Sequence, residues 1–266
     1  MKKTFLFAAL AALSMVSCTN NELPEAEPGY GYINLNVSND VAVTTRAGEG
    51  EGAGETTPSW IISATKNGET YSGITSGENV VPAGAYKIEV KSHESEANAL
   101  TTQDGWGEPY YEGNSGETAI NVIAGSTNPV TIACGKPKNT KVTGQFNLTT
   151  GFTKCVLTLD PTDDSVEGTE RNLEIKKSET DNKITTNASA FFSPGTVKFN
   201  FSYTYEGQNK KLGVKTITTT AGHEHIIKIS SNNNGKINLS ISTEGFENGT
   251  DSEFTFDAAT GDVVNG

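Results

Sequence analysis

The segment AGHEHIIKIS (221–230) places His223 and His225 on either side of Glu224. Alternate residues of a strand face the same way, so the two imidazoles could begin a zinc site. A site needs a third ligand, and the remaining histidine, His93, is distant in the chain. The local pattern is that of a turn leading into a strand, so no metal is expected. In DPTDDS (160–165), Asp160, Asp163 and Asp164 offer oxygens of the kind calcium takes. The glycine and terminal glutamate of an EF-hand loop are missing, and a solvated loop is the expectation. Asp164-Ser165-Val166 also resembles the short acceptor sequence for bacterial O-glycans. In WGEPYYEG (106–113), Trp106, Tyr110 and Tyr111 cluster around Pro109. Exposed, such rings stack on sugars by their apolar faces; buried, they plug one end of a β-sandwich, which is the expected role. Cys134 and Cys155 lie in strand-like runs, where a disulfide or two buried thiols would both fit. No GxSxG elbow, HExxH pair, P-loop or GxGxxG turn occurs. The many carboxylates are scattered and imply no acid–base pair. The chain is therefore read as non-enzymatic, with no catalytic residues, no metal and no cofactor.

The elements that must position these residues are strands. Ile33, Leu35 and Val37 alternate with Asn34 and Asn36, and Tyr86, Ile88 and Val90 alternate with Lys87 and Glu89. Trp60 and Ile62 open another run, closed by Asn67-Gly68, a dipeptide suited to a type I′ hairpin because both central positions need positive φ. Further strand-like runs cover 118–123, 129–134, 140–148, 154–160, 172–177, 196–205, 211–218, 224–230 and 236–242. No convincing helical periodicity is present. Many short strands separated by Gly, Asn and Pro indicate an all-β fold of antiparallel β-sandwich domains, immunoglobulin-like in layout. CGKPKN (134–139) interrupts the strands and suggests a boundary between units at 57–137 and 138–266. Residues 47–57 have the composition of a flexible tether.

The chain begins MKKTFLFAALAALSMVSC. Lys2 and Lys3 precede an apolar stretch, Phe5 to Leu13, that is short for a bilayer span, the pattern of an export signal. Met15, Val16, Ser17 and Cys18 resemble the bacterial lipobox, which predicts a signal at 1–17 and an acylated Cys18. Each buried acyl methylene contributes about 0.8 kcal/mol, so several chains on one cysteine anchor a protein firmly. An anchor, first strand and tether would then fill 18–56. The net charge of −12 opposes binding to nucleic acid, and suits a soluble body outside the cell.

Taken in order, the lipobox, GYINLNV, VTTRA, VPAGAYKIEV, PYYEG, VTIACGKPKNTKV and AGHEHIIKIS resemble the Bacteroidetes-type lipoproteins carrying the domain of unknown function 4493, a group similar in layout to the fimbrillins. In that pattern His225 stands where a packing residue is usual. The resemblance implies two transthyretin-like β-sandwich domains in a surface lipoprotein of the outer membrane, active in adhesion or as a pilus component. It also implies that a trypsin-like protease cuts after an arginine that follows the first strand. Here that would be Arg46, leaving Ala47 as the new N-terminus. Loss of the strand, with Ile33, Leu35 and Val37 as its buried knobs, would open a groove for a strand of another subunit. The rival is that Arg46 is an ordinary linker residue and the strand stays. A second reading is a glycan-binding lipoprotein of a polysaccharide-uptake system, with Trp106, Tyr110 and Tyr111 as its stacking platform.

Overall fold

The computed structural model describes residues 29–39, 58–116, 119–160, 172–181, 183–232, 236–245 and 252–257. The first half of the chain contributes β1 (Tyr30–Ser38), β2 (Ile61–Lys66), β3 (Glu69–Tyr71), β4 (Gly77–Pro82), β5 (Gly84–Lys91), β6 (Glu112–Asn114), β7 (Ile120–Val122) and β8 (Thr127–Ala133). These build one sheet in the order β4-β1-β8, and another in the order β3-β2-β5 with β6 and β7 both on the far side of β5. The second half contributes β9 (Thr140–Asn147), β10 (Phe152–Asp160), β11 (Leu173–Lys176), β12 (Ser189–Phe192), β13 (Gly195–Tyr205), β14 (Gln208–Lys211), β15 (Lys215–Thr219), β16 (His223–Ser231), β17 (Lys236–Gly245) and β18 (Ser252–Asp257). Their sheets run β12-β9-β16-β17-β18 and β11-β10-β13, with β14 and β15 sharing the far side of β13. The fold is all-β, and among the described residues no helix is long and apolar enough to cross a membrane.

The two halves repeat one topology. β1 and β9 each lie inside a sheet, antiparallel to one neighbour (β4, β12) and parallel to the other (β8, β16). The parallel pairs depart from the purely antiparallel expectation. Alternation marks a strand and its buried face, but pairing direction depends on a long crossover, which leaves no local mark. In the second half, β17 and β18 continue the sheet beyond the parallel partner.

Alternation accounts for the cores. Tyr86, Ile88 and Val90 of β5 are fully buried and join Ile33, Leu35, Val81, Tyr111 and Ile132 in one apolar cluster between the first two sheets. Val197, Phe199, Phe201 and Tyr203 of β13 join Val142, Leu157, Ile227 and Leu239 in a second cluster. Asn67 and Gly68 have φ of 53° and 82°, as the hairpin between β2 and β3 requires.

Two segments differ from expectation. The run 211–218 is not one strand. Leu212 turns inward, its N–H donating to Phe201 O at 2.8 Å, and Val214 is 59% exposed where β14 gives way to β15. A short helix, α1 (Glu96–Thr101), also forms, with Ser95 Oγ accepting from Asn98 N–H and Ala99 buried. Six residues are too few to display helical periodicity in a sequence.

Candidate functional site

β1 is held from both sides. Its register against β4 runs from Tyr30↔Pro82 to Leu35↔Gly77, and against β8 from Tyr32↔Thr127 to Ser38↔Ala133. Ile33 and Leu35 are 0% and 1% exposed in the first core, and Val37 packs against its margin. Burial of side chains of this size contributes about 1.5–3 kcal/mol each. Asn79 locks the β4 wall: its Nδ2 donates to Thr75 O and Gly77 O, and its Oδ1 accepts from Thr75 N–H. On the β8 side, Asn128 Nδ2 donates to Tyr32 O at 3.1 Å. Gly31 lies so close to the end of β7 that a Cβ there would sit 2.4 Å from Ile123 O. The result is a strand-shaped seat with apolar walls, filled by β1 itself.

A second feature is a cleft of about 460 Å³ bordered by Pro58, Ser59, His93, Thr102 and Glu108. Ser92 Oγ lies 3.0 Å from His93 Nδ1, and His93 Nε2 lies 3.0 Å from Glu108 Oε2. The order hydroxyl–imidazole–carboxylate has the composition of a nucleophilic triad. Its first member is otherwise committed. Ser92 is 8% exposed, and its Oγ accepts from Tyr111 N–H at 2.9 Å and sits 3.3 Å from Pro109 O. The hydroxyl ties two chain segments together inside the fold. Burial pushes the Glu108 carboxyl up, but hydrogen bonds from Gln103 and His93 and the neighbouring imidazole outweigh it and hold it below the ordinary range.

The aromatic segment is divided between the cores. Tyr110 and Tyr111 are 6% and 1% exposed, and Tyr111 meets Trp60 edge-on at 6.1 Å. Trp106 packs against the second core, while Phe191 of β12 belongs to the first. Tyr110 and Tyr111 therefore offer no free face for a sugar to stack on, whereas Trp106 is only partly buried. The backbone of this segment is instead clamped to the linker. Asn139, fully buried, accepts from Tyr110 N–H at 3.0 Å and donates to Glu108 O at 2.8 Å. Lys138 N–H donates to Tyr110 O, and Phe191 N–H to Trp106 O.

His223 and His225 do not converge on a metal position. His225 is 2% exposed; its Nε2 accepts from Thr220 N–H and its Nδ1 meets Thr243 Oγ1, each at 3.2 Å. His223 Nδ1 is engaged with Ala221 O. Glu224 pairs with Lys141 across the parallel β9–β16 ladder at 3.2 Å. Among the described residues no group of three His, Cys, Asp or Glu could hold a metal ion. Cys134 and Cys155 are free thiols in different cores, which removes the disulfide alternative. Burial pushes the Cys155 thiol up to about 11. Cys18, Arg46, Ala47, Asp163, Asp164, Ser165 and Val166 lie outside the described residues.

The structure thus brings Ile33, Leu35 and Val37 into one seat. Sequence reasoning missed Gly31, Asn79 and Asn139 because a lone glycine or asparagine outside any periodic run carries no signal of a close approach or a clamp.

The family model described as "Domain of unknown function (DUF4493)" matches residues 29–257. No curated protein matches the sequence. Among solved structures, a candidate cell adhesion protein from Bacteroides ovatus is similar at 14% identity and a TM-score of 0.45, over 84% of this chain and 96% of its own. A fimbrial assembly protein from Parabacteroides distasonis is similar at 11% identity and a TM-score of 0.45, over 84% of this chain and 98% of its own.

Proposed function

This chain belongs to the DUF4493 family, and on that premise we propose that it is a non-catalytic surface protein of fimbrillin-like type. It acts in adhesion or as a pilus component, assembled by strand exchange. It is held in the outer membrane through acylated Cys18 until processing, with residues 57–137 and 138–266 as its two sandwich units. The observation that carries this reading is the position of β1 inside β4-β1-β8, with Ile33 and Leu35 at the centre of the first core. A strand in that position cannot leave without exposing two ladders and an apolar trough. An unpaired edge of that kind takes up another strand, with main-chain hydrogen bonds giving affinity and side-chain pockets giving register. Arg46 falls between β1 and β2 in the chain, where one cut would separate the strand from the body.

The test is N-terminal sequencing of the assembled form from native cells, alongside Arg46→Ala. A mature start at Ala47, and loss of polymer in the variant, are expected. An acylated Cys18 in the assembled form, or normal polymer from Arg46→Ala, would overturn assembly by strand loss.

A further inference from the structure

Lys177 follows β11 and is 8% exposed. Its Nζ donates to Phe152 O at 2.9 Å. Among the described residues no carboxylate lies within ion-pair distance of that ammonium; the ion pairs present are Lys91–Glu112, His93–Glu108, Lys141–Glu224 and Lys176–Glu174. A buried charge with only a neutral partner is costly, because one carbonyl replaces little of the water it has lost. Lys177 also borders two neighbouring clefts, of about 350 and 400 Å³. The first is lined in addition by Lys154, Lys176 and the hydroxyl-bearing Ser178 and Thr185, the second by Thr149, Thr150 and Thr153 and by the carboxylate of Asp181.

Lys154 adds an independent observation. It has φ of 48°, a left-handed conformation that disfavours a side chain, and it lies where the β10–β13 register shifts between Thr153 and Val156. Bulges of this kind re-aim a side chain and recur beside functional sites. Here the bulge sets an exposed lysine, without an ion pair among the described residues, on the same cleft as the buried one. Lys176 is ion-paired with Glu174 at 2.8 Å. Glu179 lines both clefts without reaching Lys177. In a chain of net charge −12, the first cleft reverses the sign locally: Lys154 and Lys177, neither in an ion pair among the described residues, outnumber its one carboxylate, Glu179.

We propose that Lys177 and Lys154, at the bulged end of the β10–β11 pair, form a binding site for a single oxyanion: a carboxylate, sulfate or phosphate group. The anion completes the coordination of the buried ammonium, and the exposed lysine closes over it. This site is independent of the seat of β1 and does not rest on strand exchange.

The test is titration of the full chain with sodium sulfate, sodium glucuronate and glycerol phosphate at constant ionic strength, followed by amide chemical shifts, with glucose as the neutral control. Saturable shifts at residues 149–156 and 176–179 are expected with at least one anion and not with glucose. Affinity should fall at least tenfold in Lys177→Met, which keeps most of the length of the side chain without its charge, and several-fold in Lys154→Gly, which suits the positive φ. Which anion saturates identifies the source: sulfate alone an inorganic or sulfated ligand, glucuronate an acidic saccharide, glycerol phosphate a phosphorylated polymer. If no anion saturates, or both variants bind as the parent does, the proposal fails. Should Lys177→Met not fold, Lys154→Gly decides: unchanged affinity overturns it and weakened affinity sustains it.

Discussion

His225 shows how far one side chain can set a property of the whole fold. Thr220 N–H must donate, so Nε2 carries the lone pair and Nδ1–H points to Thr243 Oγ1. Protonation would place a hydrogen at Nε2 against the Thr220 N–H. Burial, with His223 adding to it, lowers the His225 pKa from 6.5. The neutral folded form therefore contributes stability that is complete above about pH 6.5 and is lost as pH falls towards the folded value, with a slope of at most about 1.4 kcal/mol per pH unit. Urea midpoints between pH 7.5 and 5 should fall for the parent and fall less steeply for His225→Gln, which keeps an acceptor; parallel curves would refute this. Glu108 acts in a lower window. Its carboxyl is held below 4.5, so its stabilisation persists above that value and goes only as pH falls through the folded pKa. Gly31 is the steric counterpart. With a Cβ placed 2.4 Å from Ile123 O, Gly31→Ala must shift backbone, at a cost of about 1–3 kcal/mol. A change below about 0.5 kcal/mol in chemical denaturation would show that the end of β7 yields freely.

At the level of strands, the sequence was most legible where one face is buried and the other wet. Ile33, Leu35 and Val37, and likewise Tyr86, Ile88 and Val90, could be assigned inward by alternation because Asn34, Asn36, Lys87 and Glu89 point to solvent. The rule fails where both faces are covered. Ser189–Phe192 is buried at all four positions, its Ala190 and Phe192 in the second core and its Phe191 in the first, so β12 shows no period. It also fails for β4, whose short run Gly77–Pro82 offers only Val81 to the core. The candidate seat was legible to the same degree. Its apolar knobs announced themselves, while Gly31, Tyr32 and Asn79 did not, since their roles arise from β7, β8 and the loop before β4. If Ile33 and Leu35 are the main apolar anchors of β1, truncation of either to alanine should cost about 2–5 kcal/mol. A chain lacking residues 30–46 should in turn recover a cooperative melt when a peptide of residues 30–38 is added. Recovery with the parent peptide and not with one carrying both alanines is the expected pattern; equal recovery would show that the side chains do not set the register.

The whole molecule is a repeated topology joined by an exchange of aromatics: Trp106 of the first half packs on the second core, and Phe191 of the second half lies in the first. Such an exchange couples two cores only if the backbone between them is fixed, and Asn139 fixes it. Its amide satisfies Tyr110 N–H and Glu108 O at once, while its own carbonyl accepts from Gly222 N–H at 2.9 Å. A strand withdrawn from the first half would therefore be felt across the junction through the Trp106–Phe191 contact, and the two halves should unfold together. Asn139→Ala leaves a buried donor and a buried acceptor without partners, at a cost of about 1–3 kcal/mol. Because the loss falls on the joint and not on either core, calorimetry should resolve the single parent transition into two, the first-half core melting ahead of the larger second. Asn139→Asp, which keeps the acceptor for Tyr110 N–H but sets a buried carboxylate oxygen against Glu108 O, should cost at least as much as alanine. A parent that already melts in two steps, or an alanine variant that melts in one, would mean that the halves are linked by the chain alone, and that events at the seat of β1 stay local to it.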